Sequence, residues 1–77
     1  MANPEAIETK IVEIVVNGQP RQVPGGISLD RLLAFLEVDA TRVAIERNRE
    51  IAHQSAWSAT FIQAGDQLEI VWFVGGG

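Results

Sequence analysis

Seventy-seven residues, 47% hydrophobic and 21% charged, leave room for one folded domain and lie well away from the composition of disordered chains. A domain this small buries only about 60% of the surface its unfolded chain exposes, which argues against a deep catalytic cleft. Ten acidic against six basic residues give a net charge of −4, which opposes nucleic-acid and anionic-lipid binding and favours a protein partner with a basic docking surface. The absence of cysteine excludes a disulfide framework, a thiolate metal site and a cysteine nucleophile, and makes an intracellular setting the default. No apolar run approaches the roughly 20 residues of a membrane span. The start, Met1-Ala2-Asn3-Pro4-Glu5, lacks the layout of a signal peptide, so a cytoplasmic protein is expected.

Beyond Met1, residues 1–10 hold a single large apolar side chain, Ile7, and read as a flexible N-terminal extension. From Ile11 the run Ile-Val-Glu-Ile-Val-Val is rich in β-branched residues and ends at Asn17-Gly18, a strong hairpin signal. A second strand returns through Arg21-Gln22-Val23 until Pro24-Gly25-Gly26 interrupts it. Ser28 is placed to cap a helix, Asp30 suits its first turn, and Leu29, Leu32, Leu33 and Leu36 form one apolar stripe over about Leu29 to Glu37.

Arg42 to Glu46 reads as a third strand, with Val43 and Ile45 on one face, and Glu50-Ile51-Ala52 as a short fourth. Ser55 to Ser58 forms either one helical turn with Trp57 as a plug or an irregular loop. Ala64-Gly65-Asp66 marks a turn, and Gln67 to Val74 is the last strand. The order predicts an α+β domain over residues 11–74, a β-grasp in which one helix packs on a mixed sheet of four to five strands.

After Val74 come only Gly75, Gly76 and Gly77. Three residues without a Cβ can enter a narrow channel and extend at most about 10 Å. A carboxylate at the end of that tail is a poor electrophile until it is converted to an activated acyl group, such as a mixed anhydride with AMP. The chain has no phosphate loop, nucleophile–base pair or metal-spaced ligands, so ATP and acid–base chemistry are assigned to a partner and no bound cofactor or metal is expected.

On the last strand, Leu68, Ile70 and Trp72 are expected to face the helix, with Glu69, Val71 and Phe73 turned away. If the first and last strands pair, Val15 joins Val71 and Phe73 on that outer face. The three then form a partner-docking patch, unless the N-terminal extension covers it. His53, the one histidine, reads as a solvated loop residue, Trp57 as core, and Arg42, Arg47 and Arg49 as a solvated strand edge.

The run Ile14-Val15-Val16-Asn17-Gly18, Leu32-Leu33, Val43-Ala44-Ile45, Asn48 with Ile51 and Trp57, Gly65-Asp66, and the ending Phe73-Val74-Gly75-Gly76-Gly77 resemble the thiamine-biosynthesis sulfur carrier family, ThiS. The ending is the specific part. The resemblance implies a ubiquitin-like protein whose Gly77 is adenylylated by an activating enzyme and converted to a thiocarboxylate with sulfur from a cysteine desulfurase. Thiazole synthase then receives the sulfur for the thiazole ring of thiamine. Gly75 and Gly76 are the slender approach to that terminus.

The small subunit of molybdopterin synthase shares the fold and the diglycine ending, although that family often carries a proline pair where Val71-Trp72-Phe73-Val74 has none. A ubiquitin-like protein modifier differs in chemistry only by an amine, in place of sulfur, attacking the adenylate. The extension before Ile11 and the charged Arg47-Asn48-Arg49-Glu50 stretch depart from the resemblance and bear on the choice of partner.

Overall fold

The computed structural model describes residues 10–74; the predicted extension, apart from Lys10, and the predicted tail Gly75, Gly76 and Gly77 lie outside them. Strands β1 (Ile11–Val16) and β2 (Gln19–Pro24) pair antiparallel, with Val16 opposite Gln19. Asn17 and Gly18 close this two-residue hairpin at φ 52° and 82°, the left-handed values that suit the strands' twist. Pro24 ends β2, and Gly25 follows where a Cβ would lie 2.8 Å from Val12 Cγ1. The second strand is thus longer at both ends than the three residues expected.

Helix α1 (Leu29–Phe35) buries Leu29, Leu32 and Leu33 completely, as the apolar stripe requires. It stops two residues short of the expected Glu37. The Glu37 N–H donates to the Ala34 carbonyl and the Val38 N–H to the Leu33 carbonyl, a Schellman closure with Glu37 at φ 63°. Glycine is the usual residue at that position, so its usual sequence signal is missing. Ser28 stands at the N-cap, but its hydroxyl donates to Asp30 Oδ1 instead of accepting from the backbone, which corrects the expected capping bond.

A 3₁₀ turn (Ala40–Arg42) leads into β3 (Val43–Arg47), which pairs with β4 (Glu50–Ala52) through Asn48 and Arg49, both at positive φ. A second 3₁₀ segment (Gln54–Ala59) carries the plug expected of Trp57, which is 3% exposed and donates from Nε1 to the Ala52 carbonyl at 2.7 Å. The last strand, β5 (Gln67–Trp72), lies between β1 and β3, parallel to the first and antiparallel to the second. The sheet order is β2-β1-β5-β3-β4, a five-stranded mixed sheet with α1 on one face, as predicted.

The core joins Ile14, Val16, Val23, Val43, Ile45, Leu68 and Ile70 of the sheet to Leu29, Leu32 and Leu33 of the helix, with Trp57 and Ile62 completing it. Trp72 is the exception to the expected inner row, because it remains 50% exposed. A seven-residue helix is about 10 Å long and a six-residue strand about 20 Å, so α1 cannot cover β5 to its end. Among the described residues no helix is long and apolar enough to cross a membrane.

Candidate functional site

The exit of β5 towards residue 75 is the centre of the site. Alternation turns Glu69, Val71 and Phe73 to the face away from α1, and Val71 and Phe73 are 56% and 60% exposed. Val74 is 92% exposed. Ala44 stands directly opposite Val71 on β3, so a small apolar surface adjoins the start of the glycine segment.

Val15 lies on the same outer face but apart from that surface. It is opposite Gln67, and strand rise puts Val71 about 13 Å and Phe73 about 20 Å farther along β5. Val15 is also half-buried. The structure therefore brings Val71 and Phe73 together with Ala44 and leaves Val15 at the other end of the strand.

Between these ends the face is charged. Glu46 and Glu69 are directly opposite across β3 and β5, and like charges so placed repel. With Arg49, Gln67 and Val71 they line a shallow concavity. Among the described residues the two ion pairs are Arg42–Asp39 and Arg47–Asp66, so Arg49 shares the concavity without closing an ion pair with either glutamate.

Two polar clusters fix where β5 lies, and the sequence reading assigned neither. Asn17 continues the parallel ladder after β1 has turned away: its Oδ1 accepts from the Ile70 N–H at 2.7 Å and its Nδ2 donates to the Ile70 carbonyl at 3.2 Å. The carboxamide thus supplies one more pairing to β5 beyond the last main-chain bond, from Asn17 N to the Leu68 carbonyl. The hairpin motif located this residue, but the use of its side chain depends on a partner 53 positions away.

At the start of β5, Asp66 is 6% exposed and accepts from Gln63 N at 2.8 Å, Arg47 Nε at 2.9 Å and Asn48 Nδ2 at 3.2 Å. Asn48 Oδ1 in turn accepts from Gln67 N at 2.9 Å. Burial pushes the Asp66 carboxyl up, but the Gln63 N–H, the Arg47 guanidinium and the Asn48 amide together outweigh it and hold its pKa below the usual value. Arg47 is therefore a half-buried ion-pair partner, which corrects its expected place on a solvated edge. Arg42 and Arg49 are exposed as expected, and so is His53.

The described residues contain no group of three or more metal-ligating side chains. Gly77, Gly75 and Gly76 lie outside the described residues, and the site described is the strand that leads towards them.

The comparisons with known proteins agree with this architecture. A crystal structure of a thiamine biosynthesis protein (ThiS) from Geobacter metallireducens matches with a TM-score of 0.75 at 36% identity, covering 86% of this chain and all of that one. The chain is 41% identical over 66 residues to a thiazole synthase of Paramagnetospirillum magneticum; the match takes in 86% of this chain and only 20% of that protein. It is 35% identical over 68 residues to the ycf40 protein of Porphyra purpurea, covering 88% of this chain and 96% of that one. The model of the ThiS family matches residues 14–77, from the core residue Ile14 through the three glycines, and with the β-grasp sheet this shows that the chain belongs to the ThiS family.

Proposed function

We propose that this protein is a sulfur carrier in thiamine biosynthesis whose Gly77 carboxylate is adenylylated and then converted to a thiocarboxylate. The observation that carries this is the family match running through the glycines, which follow β5 and the almost fully exposed Val74. The carboxylate oxygen attacks the α-phosphorus of ATP and displaces pyrophosphate. A desulfurase takes the sulfur of cysteine as a persulfide, whose outer sulfur attacks the carbonyl carbon; the C–S bond forms, the carbon–oxygen bond to the phosphate breaks and AMP leaves. A thiol reductant such as excess cysteine then cleaves the S–S bond of the acyl disulfide, freeing the thiocarboxylate and leaving the thiol oxidised to a disulfide. The chain is a protein co-substrate in each step, and the activating enzyme supplies ATP binding and catalysis.

The similarity to a thiazole synthase supports thiazole formation as the destination of the sulfur, in preference to molybdopterin synthesis. Thiazole synthase is thus the proposed acceptor, and the apolar end of the outer face, Val71 and Phe73 without the distant Val15, the proposed docking patch. The cytoplasm is the proposed location.

Incubation with ATP, an activating enzyme, a cysteine desulfurase and cysteine should raise the intact mass by about 16 units, with fragment ions placing the change on Gly77 and separating it from oxidation elsewhere. A mass left unchanged, or conjugates of higher mass in its place, would refute the carrier function.

A further inference from the structure

The backbone of β5 ends with one side open. Phe73 N donates to the Arg42 carbonyl at 2.9 Å across the Val43–Trp72 pair, so that pair is of the kind whose own N–H and C=O groups point away from each other. The groups of Trp72 therefore face the β1 side. Leu68 and Ile70 face that side too, and both are paired there, Leu68 with Asn17 N and Ile70 with the Asn17 side chain. Beyond Asn17 the chain has turned into β2. Among the described residues neither Trp72 nor Val74 has a hydrogen-bond partner on that side.

This edge lacks the usual protection. Open strand edges are ordinarily blunted by lysine, proline or a bulge, yet Val71-Trp72-Phe73-Val74 has neither charge nor proline. Its side chains are exposed on both faces, Trp72 at 50% on one and Val71 and Phe73 at 56% and 60% on the other. A strand laid alongside would find main-chain partners at alternate residues and apolar contacts above and below the sheet.

We propose that Trp72 and Val74 form a strand-addition site for an extended, uncharged segment of the enzyme that activates Gly77, a pairing that presupposes the sulfur-carrier function proposed above. The position selects that occupant. Three residues separate Val74 from the Gly77 carboxylate, so a segment paired at Val74 lies within about 10 Å of the reacting terminus. Such pairing takes up the bare edge and aims the glycines by main-chain bonds, which tail residues without side chains cannot provide by other contacts.

Amide hydrogen exchange is the first test, with the purified adenylylating enzyme and ATP as probe. In the free carrier the Trp72 and Val74 amides should exchange fast while Val71 and Phe73 are protected; in the complex all four should be slow. Proline removes only the open-side N–H at either position, so Trp72→Pro and Val74→Pro are each compared with the alanine variant at the same site.

The proline variants should keep the exchange pattern of the core and raise the KM for the carrier about two- to tenfold over alanine, with kcat little changed. Equal KM values for proline and alanine, or Trp72 and Val74 amides that stay fast in the complex, overturn the site while leaving the carrier function intact. Wild-type protein that is never adenylylated overturns both. A carrier dimer in sedimentation that Val74→Pro dissolves assigns the edge to a second copy and overturns the proposal.

Discussion

Asn17→Gly isolates the contribution of the side chain that continues the β1–β5 ladder. Asn17 already sits at φ 52°, which glycine adopts freely, so the substitution removes two hydrogen bonds to Ile70 without adding backbone strain. Ile70 is 4% exposed, and its N–H and C=O lose their partners in a setting poor in water. At about 0.5–1.5 kcal/mol for each bond the loss is roughly 1–3 kcal/mol. For a domain of this size 2 kcal/mol corresponds to a fall in Tm of about 8–16 °C.

Asn17→Ala should cost about 1 kcal/mol more, because alanine at that φ brings Cβ against the following carbonyl. Urea denaturation followed by the fluorescence of buried Trp57 measures both variants. If Asn17→Gly unfolds within about 0.3 kcal/mol of wild type, the ladder role assigned to this side chain is refuted, whereas alanine no worse than glycine would refute only the strain assigned to the positive φ.

Asp66→Asn should cost about 1–3 kcal/mol at neutral pH by removing the charge that Arg47 and Asn48 address. Because the folded carboxyl has a depressed pKa, wild-type stability from this group is present above the ordinary carboxylate range and is lost as pH falls through the folded value; the variant should lack that acid-limb slope in urea midpoints taken against pH. Gly25→Ala should destabilise the domain by about 1–3 kcal/mol, since its Cβ would meet Val12 Cγ1 at 2.8 Å and the Lys10 carbonyl at 3.2 Å; a neutral urea midpoint would contradict that crowding. Phe73→Asp should leave the urea midpoint unchanged and weaken binding to the activating enzyme more than about fivefold in a calorimetric titration, and equal affinity would remove Phe73 from the docking patch.

Local pattern was sufficient wherever one short stretch of chain carries its own reason. The β-branched run before Asn17-Gly18, the leucine stripe of α1 and the alternation of Val43 with Ile45 each state a period, and a period names the face to be buried. The three glycines, likewise, were visible without any fold. What the tertiary structure decided depends on residues distant in sequence.

Trp72 obeys the alternation of Leu68 and Ile70, yet it stays half-exposed because the length of α1, set by a Schellman closure on a glutamate, limits how far the sheet is covered. Arg47 read as one more surface cation until the β5 turn brought Asp66 to it. Val15 shares a face with Val71, but only the parallel register of β1 and β5 shows them about four residues apart. The open edge at Trp72 follows from that same register together with the hairpin that withdraws β1: periodicity gives the direction of each side chain, whereas pairing partners are a property of the assembled sheet.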